Sequence, residues 1–158
     1  MIENYLNILE DSLLKKLAVL DEIIAYNNNQ EALLKKDKVS MEELDANMAQ
    51  KDELIQKVLE LDEGFESLYD KIREQLLDNK DLYKNQIKKL QDLISAVTDK
   101  SVTVQAQEAR NKKLIEDYFA REKSQIRQGR VASKAAYGYY KNMNNVNVVP
   151  PQIMDQKK

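Results

Sequence analysis

The chain contains no histidine, no cysteine and no tryptophan. Without His or Cys, a nucleophile–base pair, a zinc site or a disulfide framework cannot be built in the usual ways. Carboxylate-only chemistry stays open in principle, but the acids are spread along the chain as solvated helix faces are. The composition therefore predicts a protein that is not an enzyme and carries no cofactor or metal. Proline is absent from the first 128 residues, and Gly64 is the one glycine there. That absence favours uninterrupted helix, because these two residues are the main helix breakers. Long apolar runs are missing as well: no 18 consecutive residues are uncharged and apolar, so no membrane insertion is expected. The segment MIENYLNILED is acidic and periodic and reads as neither a secretory signal nor a transit peptide. Absence of cysteine suits a reducing compartment, and a soluble cytoplasmic protein is the simplest expectation.

What is present is charge and a leucine/isoleucine period. One third of the residues are charged and only 6% are aromatic, a balance suited to long helices with narrow apolar seams. Ile2, Leu6, Leu9, Leu13, Leu17, Leu20 and Ile24 alternate four-three-four, which is the seam of a helix packed along its length. The stripe fades at Asn27-Asn28-Asn29-Gln30 and ends near Asp37-Lys38. Ser40 then precedes Glu43 by three, the capping-box spacing, with Val39 and Leu44 positioned for the matching hydrophobic staple. A second helix is predicted to start at Met41 after a turn of about three or four residues, which sets the two helices antiparallel.

The second helix carries Leu44, Met48, Ile55, Val58, Phe65, Tyr69, Ile72 and Leu76, with Lys51 and Asp62 interrupting the seam. Gly64 is its weak point, read as a kink because the period resumes in register. The next break is expected at Asp78–Asp81, where Asp78 and Asn79 suit a cap. A third helix runs through Tyr83, Ile87, Leu90, Ile94, Val97, Val104, Ile115 and Tyr118 toward Ile126. Val97, Thr98, Val102, Thr103 and Val104 make its middle poor in helix propensity. At about 1.5 Å per residue the helices should measure roughly 50, 55 and 70 Å, with the third overhanging. Ser101, Glu108 and Asn111 are polar residues on its seam, where such residues ordinarily fix register. The expected architecture is all-α: an antiparallel three-helix bundle or coiled coil over 1–128, followed by a flexible tail over 129–158.

The tail differs in chemistry. Residues 120–158 carry eight basic and two acidic side chains, a net of +6; the whole chain is −2, so the first 119 residues sum to −8. Such an arm suits an acidic partner or a phosphate backbone. Arg121, Lys123 and Arg127 equally well complement a helix C-terminus. Within VASKAAYGYYK, Val131, Ala135, Ala136, Tyr137, Tyr139 and Tyr140 form an apolar segment too short to nucleate a helix alone. It is expected to order on a partner, together with Val146, Val148 and Val149 further on. The alternative is that the tyrosines fold back on the open end of the bundle.

The run Gln107-Glu108-Ala109-Arg110-Asn111-Lys112-Lys113-Leu114-Ile115, followed about twenty residues later by Ala136-Tyr137-Gly138, resembles the FlgN-type flagellar export chaperones. Asn111, Leu114 and Ile115 match an Asn-Gly-x-Leu-Ile-like motif on that family's last long helix, with Lys112 in place of glycine. Tyr137 and Gly138 match a Leu-Tyr-Gly-like motif beyond it, with Ala136 in place of leucine. The resemblance implies a cytoplasmic helical chaperone of hook-associated proteins, the junction subunits between hook and filament. Its tail would engage the cargo, and the tyrosine would contact a component of the type III export gate. An apolar tail of this kind is suited to covering an assembly surface that polymerises when exposed.

Two other classes stay open. A helical adaptor or scaffold would complete its seams with a second copy, a homodimer or larger, and would show this as a stable oligomeric mass. Nucleic-acid binding through the basic arm would weaken steeply with salt. The acidic body and the lack of any recognised binding motif speak against nucleic acid.

Overall fold

In the computed structural model, which describes residues 2–122, three helices follow one another: α1 (Ile2–Leu34), α2 (Met41–Asp78) and α3 (Lys84–Arg121). The described residues contain no strand. The β-branched stretch Val97–Val104 is helical, with Val97 and Val104 buried against the other helices. Tertiary packing thus overrides a weak local preference.

Helix α1 is the shared element, packing against both α2 and α3. Its side-chain pairings with α2 descend in number, as in Lys16 with Asp62 and Asn29 with Asn47, so the two run antiparallel. Its pairings with α3 ascend, as in Glu10 with Lys89, Asp21 with Lys100 and Gln30 with Asn111, so those two run parallel. The result is an up-down-up bundle.

Because α1 faces two partners, it buries a wider face than one seam. Leu6, Leu9, Leu13 and Leu20 are buried as the period predicts, whereas Leu17 and Ile24 are only half-buried. Lys16, Val19, Ile23, Asn27 and Gln30 are buried in addition. The stripe therefore does not fade at Asn27; it continues with polar side chains. In α2 all eight expected apolar residues are buried.

The first turn spans residues 35–40, longer than the three or four residues expected. It opens with Lys35 N–H donating to Glu31 O at 3.1 Å. Ser40 is the N-cap of α2, in extended conformation, and its Oγ accepts from Glu43 N at 3.2 Å. Val39 packs on the cluster that contains Leu44, as the staple requires. At the second turn Asn79 is a C-cap and not an N-cap. Its N–H donates to Leu76 O at 3.1 Å, and its Nδ2 donates to Gln75 O at 2.7 Å. Tyr83 opens α3 without a side-chain cap.

Helix α2 continues through Gly64 and ends at Asp78. Within the described residues α2 and α3 both have 38 residues, about 57 Å at 1.5 Å each, and α1 has 33. The expected continuation to Ile126 and the boundary at 128/129 lie outside the described residues.

Two substitutions test the helix-end and helix-interior arguments with opposite signs. Ser40→Ala should lower unfolding free energy by about 1 kcal/mol through loss of the N-cap acceptor. Gly64→Ala should raise it by up to about 1 kcal/mol, because the added methyl meets nothing within 4 Å and alanine is the better helix former. Urea melts of the two variants give both signs; a loss at Gly64→Ala would mean that α2 needs flexibility there.

Candidate functional site

Two apolar clusters fill the bundle, and a polar layer separates them. The larger cluster runs from Leu6 and Leu76 at one end to Ile23, Leu54 and Val104. The smaller one consists of Leu34, Leu44, Met48 and Ile115, with Val39, Met41, Leu114, Tyr118 and Phe119 half-buried around it. Between them, α1 contributes Asn27 and Gln30, α2 contributes Asn47 and Lys51, and α3 contributes Gln107, Glu108 and Asn111, all buried.

Lys51 is the centre of this layer and is 0% exposed. Its Nζ donates to Gln30 Oε1 at 3.0 Å and to Glu108 Oε1 at 3.2 Å, and lies 2.9 Å from Glu108 Oε2. Asn111 Nδ2 donates to the same Gln30 Oε1 at 3.0 Å and to Asn27 O at 3.0 Å. Asn27 Nδ2 donates to Gln107 Oε1 at 3.1 Å, while Gln107 Nε2 donates to Asn28 Oδ1 at 3.1 Å and Ile24 O at 3.3 Å. Asn47 Nδ2 closes the edge, donating to Tyr26 O at 2.9 Å and Asn29 Oδ1 at 3.1 Å. All three helices are thereby cross-linked at one level. Burial lowers the Lys51 ammonium from its ordinary 10.5 to about 8, against the opposing pull of Glu108.

A slip of one helix by a turn would leave a buried ammonium, a carboxylate and several amides without partners. Each such orphan costs about 1–3 kcal/mol, and more when charged. The chemistry of this layer is therefore register specification. Among the described residues, no three His, Cys, Asp or Glu side chains gather in a way that could hold a metal. No helix there is long and apolar enough to cross a membrane.

Of the candidate residues from sequence, Asn111, Leu114 and Ile115 fall in the described part. Asn111 and Ile115 are buried inside the bundle and Leu114 is half-buried beside the small cluster. Asn111 thus performs the structural duty expected of a polar seam residue. Val131, Ala135, Ala136, Tyr137, Tyr139, Tyr140, Val146, Val148 and Val149 lie outside the described residues. Sequence reasoning missed Asn27, Gln30, Asn47, Lys51 and Gln107 as members of one layer. A signal was available: Lys51 sits in phase between Met48 and Ile55, as Asn27 and Gln30 do between Ile23 and Leu34.

Compared with protein-family models, curated proteins and solved structures, the chain matches none of them.

Proposed function

We propose that this protein is a helical chaperone of the FlgN type, which binds hook-filament junction subunits, keeps them from assembling early and brings them to the flagellar export gate. The observation that carries this reading is the order of parts along the chain. An all-helical body has Asn111, Leu114 and Ile115 near the end of its last helix, and Ala136-Tyr137-Gly138 follows in a basic, tyrosine-rich sequence. The proposed mechanism is steric: an apolar segment covers the assembly surface of the cargo, and no bond is made or broken. Since Asn111 and Ile115 are buried, the body acts as a scaffold and the contact residues are sought in the tail, with Tyr137 foremost.

The test is calorimetric titration of a purified hook-associated protein into the full chain, into a chain ending at Gln128, and into two point variants. Binding should be lost on truncation while the melting of the body is nearly unchanged, because the apolar seams read from the sequence end by about Ile126, before the cut. Tyr137→Ala should cost about 2 kcal/mol or more and Lys134→Ala less than about 1, since interfacial tyrosines act as anchors and rim lysines contribute little. Full-strength binding by the truncated chain would move the site onto the helices and remove the main support for the proposal.

A further inference from the structure

The three helices are not equally anchored along their lengths. Up to Val104, α3 is held by Leu90, Ile94, Val97 and Val104, all buried in the larger cluster. Beyond Val104 it buries Gln107, Glu108 and Asn111 and one fully enclosed apolar side chain, Ile115, while Leu114, Tyr118 and Phe119 are only half-buried on the smaller cluster. Polar pairs resist separation far less than apolar contacts do, because the amides, the ammonium and the carboxylate regain hydration when they part. The stretch before this segment is itself weak as helix. It is rich in β-branched residues, and three hydroxyls turn back on their own helix. Thr98 donates to Ile94 O at 2.9 Å, Ser101 to Val97 O at 2.8 Å and Thr103 to Asp99 O at 3.3 Å. Such back-bonding slightly destabilises and bends helices.

We propose that the last part of α3, from Gln107 to Arg121, lifts off the α1–α2 hairpin as one unit while the rest of the bundle stays folded, with the polar layer as the line along which it parts. The hairpin has a tie at this level that α3 lacks. α1 and α2 share residues in the clusters on both sides of the layer, and the capped turn 35–40 joins them covalently. Opening uncovers Leu34, Leu44 and Met48 on the hairpin and frees Asn111 and Ile115, which no partner can reach in the closed bundle. The inference stands on packing alone and holds whether or not the chaperone reading does.

Hydrogen exchange of the full chain tests it without any substitution. Amides of 107–121 should exchange at least about tenfold faster than those of 87–97, after correction for intrinsic rates, through an opening well below the global unfolding free energy. Amides of 24–34 and 44–54 should stay protected like the main body. Joint exchange of 24–34, 44–54 and 107–121 would overturn the proposal, because the whole end would then fray together. Equal protection throughout α3 would overturn it as well. The absence of cysteine from the chain offers an independent readout with single-cysteine variants. Ile115→Cys and Ile94→Cys replace side chains that are 2% and 3% exposed. A thiol reagent should label the first before global unfolding and the second only with it; labelling of both at the global unfolding rate would refute the lifting of α3.

Discussion

Lys51→Met is expected to destabilise the protein by about 3–5 kcal/mol, the cost of breaking a buried ion pair from one side. Glu108 lies almost wholly out of solvent, and its carboxylate would lose the ammonium 2.9 Å away. Gln30 would suffer less, because its Oε1 also accepts from Asn111. The damage should therefore trace to Glu108, and the double variant Lys51→Met/Glu108→Leu should recover most of the loss. Two methylene-rich side chains of similar volume can then join the clusters on either side, and replacing a whole buried pair is often neutral or stabilising. Urea unfolding of the two single variants and the double variant gives the coupling directly. A loss below about 1 kcal/mol in Lys51→Met would mean that water reaches the carboxylate and that the layer is not sealed.

The same lysine makes stability depend on pH in an unusual direction. Its folded value is lowered to about 8, while the unfolded chain titrates near the ordinary 10.5. Between those values the unfolded state holds a proton that the folded state has released, so stability rises as pH rises. Below about 8 both states hold the proton and the contribution is flat. The urea midpoint of the wild type should accordingly increase between pH 7.5 and 9.5, and that increase should vanish in Lys51→Met. The comparison belongs below pH 10, because burial raises the Tyr69 phenol and adds a term of opposite sign above it.

The helices were legible because the signals that define them are local. The absence of breakers, the Ser40–Glu43 spacing and the leucine period each act within a few residues, and the turn starts at α2 and the Asn79 region follow from them. The polar layer was not legible as a unit. Lys51 read as an interruption of its helix, because a lysine on a seam is ordinarily a solvated face. Only the meeting of three helices reveals that Gln30 and Glu108 lie opposite it. Asn111 illustrates the intermediate case: its seam position announced a structural role, while its acceptors, Asn27 O and Gln30 Oε1, belong to a helix some eighty residues earlier. The far end of α3 is a related case: the apolar period runs on toward Ile126, while the described helix ends at Arg121 with Glu122 as its C-cap. Periodicity shows where a helix can continue, but packing partners and caps decide where it stops.

Tyr69 should give opposite results with two substitutions at one position. It is 1% exposed and sits in the larger cluster, with its ring stacked on Phe65 at a centroid separation of 6.4 Å and an interplanar angle of 9°. Tyr69→Ala removes the whole ring from a site that cannot collapse freely between helices. A loss of about 3–5 kcal/mol is expected, the range for aromatic truncation in packed cores. Tyr69→Phe keeps the ring and removes only the hydroxyl, which finds no hydrogen-bond partner among the described residues. A buried hydroxyl without a partner is a desolvation cost of about 1–3 kcal/mol, so removing it should leave stability unchanged or raise it. Paired urea melts of the two variants decide the matter. A loss of more than about 1 kcal/mol in Tyr69→Phe would show that the hydroxyl is hydrogen-bonded in solution and that this part of the core is polar where the packing makes it dry.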